Sequence, residues 1–321
     1  MIAMLGDGSW ALGLTHVLVD QNGHRINWWV REDERIDDFP ATPRLRVHKD
    51  IRKVINSSDD IFVVIPSAFL STSLLSVTPE MLEGKNIISA VKGFVPEQNT
   101  TVSQFFQQQY GVPKDHIAIV SGPSHAEEVV QSMLTYLTVA SSNRQLAERV
   151  RDMLECDFLC TYYSNDVLGI ECSAIMKNIY AIAVGICHSL GYGDNLIAVL
   201  IAAALKELST ILNAYVPLDI PRDLSSYIYL SDLLATCYSK HSRNHTFGEL
   251  IGRGYSPQQA RIMQKMVAEG YYAVKSVYEL AEARNVQLPI VQALYAVIYQ
   301  GAGANREFND LVHQLSRRNI I

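Results

Sequence analysis

Several things this 321-residue chain lacks narrow its function more than anything it has in excess. Cysteine is scarce. The five cysteines, Cys156, Cys160, Cys172, Cys187 and Cys237, are odd in number and contain no C-x-x-C pair. That excludes a disulfide framework and predicts reduced structural thiols in a cytosolic protein. There is no H-E-x-x-H and no Cys/His cluster at ligand spacing, so a metal centre has no support. No G-x-x-x-x-G-K-[ST] occurs, which removes the P-loop reading. Basic residues are outnumbered, 27 against 33 acidic, for a net charge of −6. A dominant nucleic-acid role is thereby disfavoured, because phosphate binding needs a basic face. A local basic pocket is still allowed. The opening MIAMLGDGSW has no basic segment ahead of an apolar run, unlike a secretory signal. The most apolar internal stretch, Ile197–Leu205, is too short to cross a bilayer. The expectation is a cytoplasmic protein without an integral membrane segment. Repeats, low-complexity tracts and flexible linkers are also missing.

What is present is two contrasting halves. The first alternates short apolar runs with polar stretches of helix length. The runs are Ile2–Leu5, Ile26–Val30, Ile61–Ile65, Asn86–Ala90 and Ile117–Val120, with weaker ones at Leu137–Ala140 and Phe158–Tyr162. This alternation predicts βαβ units around a mostly parallel sheet. From about Asp166 the apolar spacing becomes helical, in segments rich in Ala, Leu, Glu and Lys punctuated by Gly and Pro. The fold expected is an α/β dinucleotide-binding domain over residues 1–164 and an all-α substrate domain over residues 165–321.

The turn after the first apolar run is Gly6-Asp7-Gly8-Ser9-Trp10-Ala11. It reads G-x-G-x-x-A between a strand and a helix, the context a Rossmann-type fingerprint requires. Gly6 permits the tight turn, Gly8 lets a pyrophosphate approach the backbone, and Ala11 is small enough for close helix–strand packing. The amides of the helix N-terminus then face the phosphates. The second run ends at Arg31. A guanidinium there suits a 2′-phosphate and can stack on adenine, which favours NADP. Glu32 and Asp33 keep NAD open.

Four further places could carry chemistry. Lys177-Asn178 lies in an otherwise weakly polar helix, Asp166–Cys187. A lysine there either snorkels to water or is a perturbed amine facing a site. Lys92-Gly93 follows the fourth run, beyond a strand end where open parallel sheets bind ligands. Ser121-Gly122-Pro123-Ser124-His125 follows the fifth; Ser124 is placed to cap the next helix, whose first turn carries Glu127 and Glu128. Ser242-Arg243-Asn244 offers a guanidinium fork with hydroxyl and amide donors, a set suited to phosphate, or else is a surface loop. Asp232 borders an apolar run and could pair with Lys177 or cap a helix.

Taken in order, GDGSWA, SDDIFVVIPS, SAVKG, SGPSHAEEV, KNIYAIAVGI, GYGDN, SDLLATC, HSRN, VAEG and LPIVQALYAVIYQG resemble the bacterial-type NAD(P)-dependent glycerol-3-phosphate dehydrogenases over nearly the whole chain. The resemblance implies reversible reduction of dihydroxyacetone phosphate to sn-glycerol 3-phosphate with NADP, or NAD, supplying glycerophospholipid synthesis. It implies that Lys177 is the acid/base and that Lys92 contacts cofactor and substrate. It places Gly122, Ser124, Asp232, Ser242, Arg243 and Asn244 around the substrate. It places Ser9, Trp10, Arg31, Ala126, Arg243, Val267 and Glu269 around the cofactor. Departures are Ala11 for a frequent glycine, Leu196-Ile197 and Ala202-Ala203-Ala204 for polar or basic residues and an arginine-glycine pair, and His188 for an acid. Two alternatives stand beside it: a related lysine-dependent hydroxyacid dehydrogenase, and a non-catalytic NADP-binding sensor. A homodimer is left open.

Overall fold

A computed structural model describes residues 1–31, 42–96, 98–218, 221–264 and 267–317. They form two compact units, Met1–Glu171 and Cys172–Ile321. Glu32 and Asp33, which kept NAD open, lie outside the described residues.

The first unit is built on one eight-stranded sheet: β1 (Ile2–Leu5), β2 (Ile26–Trp29), β3 (Leu45–His48), β4 (Asp60–Val63), β5 (Asn86–Ser89), β6 (Ile117–Ser121), β7 (Thr135–Ser141) and β8 (Leu159–Ser164). Their spatial order is β3-β2-β1-β4-β5-β6-β7-β8. Neighbours are parallel except β6 with β7. The central strands are buried along their length, as the unbroken apolar runs require of a sheet covered on both faces. The helices are α1 (Ser9–Thr15), which continues as a π-helical turn over His16–Gln21, then α2 (Ile51–Asn56), α3 (Ser67–Ser73), α4 (Pro79–Leu82), α5 (Val102–Tyr110), α6 (Ala126–Val130) and α7 (Arg144–Leu154). Met4, Leu14, Trp28, Phe62, Ile88 and Val120 pack in the core between helices and sheet. All seven runs became strands. The eighth, β3, was not visible in advance. Its LRVH carries two apolar residues, and it is a partly exposed edge strand with little hydrophobic signal.

The second unit is helical: α8 (Val167–Ser189), α9 (Asp194–Tyr215), α10 (Asp232–Tyr238) after a π-helical turn over Tyr227–Ser231, α11 (Arg243–Gly252), α12 (Pro257–Met263), α13 (Glu269–Ala283), α14 (Pro289–Tyr299) and α15 (Ala304–Arg317). The unit boundary falls inside α8, whose first turns belong to the first unit. Both α8 and α9 are long and apolar enough to cross a membrane by length and composition. The length argument from Ile197–Leu205 counted only an unbroken apolar run and so understated the apolar length of α9. The apolar window of α8 is 89% buried, so α8 is a core helix; that of α9 is 44% buried.

Glycine sets the closest helix crossing. A Cβ on Gly185 of α8 would lie 2.1 Å from the His245 carbonyl oxygen. One on Gly248 of α11 would lie 2.1 Å from that of Ile182. The two backbones therefore touch, which places the start of α11 against the middle of α8.

Candidate active site

In the first unit the carboxyl ends of the parallel strands share one edge, and the candidate residues emerge there. Gly6 follows β1 with φ +121, and a Cβ on it would sit 2.8 Å from the Val64 carbonyl carbon. No side chain fits at that turn. Gly8 is the N-cap of α1, and a Cβ there would meet nothing within 4 Å. That open space above the backbone is what a pyrophosphate at a helix start occupies. Ala11 is fully buried against the sheet. Trp10 keeps its indole nitrogen buried with no hydrogen-bond partner among the described residues. An unmet buried donor beside Gly8 and Ser9 fits a ligand acceptor. The residues present thus fit a dinucleotide.

Arg31 follows β2, exposed, its guanidinium 5.7 Å from the centre of the Phe69 ring. Pairing of β2 with β3 puts Trp29 beside His48, and the Trp29 indole donates to the Lys49 carbonyl at 2.9 Å. Lys49 is thereby set one residue past the end of β3, alongside the segment leading to Arg31. Sequence reading missed this second cation because β3 itself was not recognised.

Lys92 follows β5. Its ammonium donates to the Gly122 carbonyl at 3.2 Å and lies 5.9 Å from the Trp10 ring centre. Gly122 follows β6 with φ +138, and a Cβ on it would come 2.6 Å from the Tyr136 carbonyl oxygen. Lys92, Trp10 and Gly122 are therefore one cluster. The Ser124 hydroxyl donates to the Gly122 carbonyl at 3.0 Å, while His125 occupies the N-cap of α6. The expected capping role of Ser124 is corrected. The chain turns one residue later, and the hydroxyl reaches back to the Gly122 carbonyl instead. Ala126 opens α6 and is buried; Glu127 and Glu128 are exposed in its first turn.

In the second unit Lys177 is 5% exposed and its ammonium donates to Asp232 Oδ1. The ammonium does not snorkel. It is held inside by a carboxylate, the condition under which a buried cation is tolerated. Asp232 opens α10, and one turn on, the Thr236 hydroxyl donates to its carbonyl at 2.7 Å. The neighbouring Cys237 thiol is pushed up to about 12, by burial first, with Lys177 lowering it and Asp232 raising it. Tyr180, one turn along α8 from Lys177, is buried, and burial drives its phenol well above the ordinary value.

Ser242 is the N-cap of α11, its hydroxyl oxygen accepting from the His245 amide at 3.3 Å. A hydroxyl used this way keeps its hydrogen to donate. Asn244 donates to Asn178 Oδ1 at 3.0 Å and accepts from the Gly270 amide at 2.9 Å. It ties α8, α11 and α13 together, and one amide hydrogen is left for a ligand. Arg243 is half-buried, its carbonyl accepting from the Gln264 side chain. Glu269 opens α13; Val267 precedes it, half-buried. The SRN segment is thus the start of a helix rather than a surface loop, with its amides and dipole available to an anion.

The first unit carries a dinucleotide turn and the second a lysine paired inside a helical core, and two family models cover both. The model described as the NAD-dependent glycerol-3-phosphate dehydrogenase N-terminus matches residues 1–147, and its C-terminal counterpart matches residues 166–309. The chain belongs to the NAD-dependent glycerol-3-phosphate dehydrogenase family. A glycerol-3-phosphate dehydrogenase [NAD(P)+] of Streptococcus suis is 33% identical over 97% of this chain and 95% of its own length. One from Chlorobium limicola is 31% identical over 99% of each. The crystal structure of glycerol-3-phosphate dehydrogenase from Coxiella burnetii superposes with a TM-score of 0.89 at 26% identity, covering 99% of this chain and 98% of that one. The hydroxyacid-dehydrogenase and sensor alternatives gain nothing from these family matches.

Proposed function

We propose that the protein reduces dihydroxyacetone phosphate to sn-glycerol 3-phosphate, reversibly, with NADPH preferred and NADH accepted. The observation that carries this reading is the buried Lys177–Asp232 pair. A lysine kept protonated inside a core is a proton source waiting for a developing alkoxide. When bound, the reduced nicotinamide supplies the hydride. Lys177 delivers the proton to the carbonyl oxygen in reduction and removes it in oxidation. Asp232 favours the charged form of Lys177 beforehand. Lys92 adds positive charge where the oxyanion develops. Ser242, Arg243 and Asn244 hold the substrate phosphate, with Gly122 and Ser124 beside the substrate. Gly6, Gly8, Ser9, Trp10, Ala11 and Ala126 are the cofactor residues of the dinucleotide-binding domain, and the family resemblance adds Val267 and Glu269. Arg31, seconded by Lys49, takes the 2′-phosphate and so favours NADP. The enzyme acts in the cytoplasm and feeds glycerophospholipid synthesis.

The test follows NADPH absorbance with dihydroxyacetone phosphate, then with unphosphorylated dihydroxyacetone, then repeats both with NADH. The expected result is phosphate-dependent oxidation, faster at low cofactor with NADPH. Cofactor binding without ketone-dependent oxidation would instead mean a sensor.

A further inference from the structure

Two histidines join the end of α8 to the start of α11. His188 lies in the last turn of α8 and His245 in the first turn of α11. His188 Nδ1 and His245 Nε2 are hydrogen-bonded at 2.8 Å, with ring centres 5.1 Å apart, and both rings are half-buried. The His245 backbone is held at two further points. Its amide donates to the Ser242 hydroxyl, and its carbonyl packs on Gly185 of α8. The first turn of α11 is therefore fixed to α8 by backbone contacts, which do not titrate, and by one side-chain bond, which does.

We propose that His188 and His245 are positioning residues, whose bond sets Ser242, Arg243 and Asn244 for the substrate phosphate and lets them go in acid. This rests on the reading that those three residues hold that phosphate. In such a bond one ring offers an N–H and the other a bare nitrogen. A helix start disfavours a cation. Burial is the largest influence on His245 and lowers its pKa; Glu249 raises it and His188 lowers it. His245 is therefore the acceptor and His188 the donor. Glu249 lies one turn on in α11, with Arg253 at 3.7 Å. The other elements packed on α11 bring no further charge to bear on His245 among the described residues. Protonating the second ring sets two N–H donors face to face and breaks the bond. The bond is thus present at neutral pH and lost as pH falls below the ordinary histidine value of about 6.5. An acid at position 188, as the family resemblance led one to expect, would do the opposite and grip a protonated His245 more firmly in acid. Simple attraction between a second imidazolium and the phosphate would also have the opposite sign, lowering KM in acid.

Steady-state kinetics on the full chain, between about pH 8 and pH 5.5, test this with wild type, His188→Ala and His188→Asn. Asparagine sets an amide near the place of Nδ1, can donate or accept, and does not titrate. At the alkaline end His188→Ala should raise KM for dihydroxyacetone phosphate about fivefold, the worth of one hydrogen bond. The inhibition constant of inorganic phosphate, used as a competitor, should rise in parallel. KM for NADPH and kcat should move less, and His188→Asn should restore the wild-type KM. The phosphate's own second ionisation, near pH 6, is common to all three proteins. The pH readout is therefore the ratio of wild-type to His188→Asn KM, which should climb towards the same factor in acid. A flat or falling ratio overturns the proposal. So does an unchanged KM in folded His188→Ala, or a rise in KM without a rise in the phosphate inhibition constant. Melting temperature shows whether each variant folds; if His188→Ala does not, the pH ratio decides alone. A wild type that does not turn over dihydroxyacetone phosphate, or with which inorganic phosphate does not compete, instead overturns the assignment of the phosphate seat, and this proposal falls with it.

Discussion

A charged lysine inside a protein must be held by something, and Lys177 is held by Asp232. The pair has a kinetic and a structural consequence that a single substitution mixes. Lys177→Ala removes the proton donor, and positioned acid catalysis contributes about 10² to 10⁴ in rate. It also takes the ammonium away from the buried Asp232 carboxylate, and breaking a buried ion pair costs about 3–5 kcal/mol. The expected outcome is a fall in kcat of about a thousandfold with NADPH affinity retained. The Lys177→Ala, Asp232→Asn double variant should recover stability and not activity. Full turnover in a folded Lys177→Ala protein would remove the assignment. At this scale the sequence was informative where chemistry needs unusual residues in unusual places, as with Lys177 in an apolar helix. It was silent on Thr236, Cys237 and Tyr180, ordinary residues whose proximity to the pair arises from packing α10 against α8. It misled at Ser124, because helix caps depend on where the turn closes.

Elements are placed by close approach and by caps. At the crossing of α8 and α11 the obstacle to a side chain is backbone, which cannot rotate away. Gly248→Ala should therefore cost about 3 kcal/mol in urea unfolding, at the upper end of overpacking effects. It should also raise KM for dihydroxyacetone phosphate more than KM for NADPH, because the SRN segment leads into α11. Unchanged stability would mean that the helices can part cheaply. A second device is Glu171, buried at the start of α8, whose carboxylate accepts from the Ser103 amide at 2.9 Å and from the Ser103 hydroxyl at the start of α5. Burial is the largest influence and raises its pKa, against the lowering effect of these hydrogen bonds. A carboxyl whose folded pKa lies above its unfolded value binds more protons when native, so its contribution falls as pH rises from the unfolded value through the folded one. Glu171→Gln abolishes that titration. Its melting temperature relative to wild type should climb as pH rises above about 4.5; a flat difference would contradict the burial argument. Neither device could be read from sequence, since a glycine in a helix or a lone acid carries no record of its partner. The strands were legible because burial on both faces demands unbroken apolar runs, and β3 was not because an edge strand does not.

For the whole molecule, the informative fact is that the boundary between units lies inside one helix. The composition change near residue 165 marks where helical spacing begins. It carries no information on how far α8 runs as part of the first unit before becoming the core of the second. A helix shared in this way links the stability of the halves, because melting the second unit unravels α8 and releases the Glu171 contacts that anchor α5. Differential scanning calorimetry should therefore show one cooperative transition. NADPH at a hundredfold excess over its dissociation constant should add about 2.7 kcal/mol by mass action. Although the dinucleotide turn lies in the first unit, that increment should move the entire transition. Two peaks, with NADPH shifting one of them, would mean that α8 breaks at the boundary and the halves unfold independently.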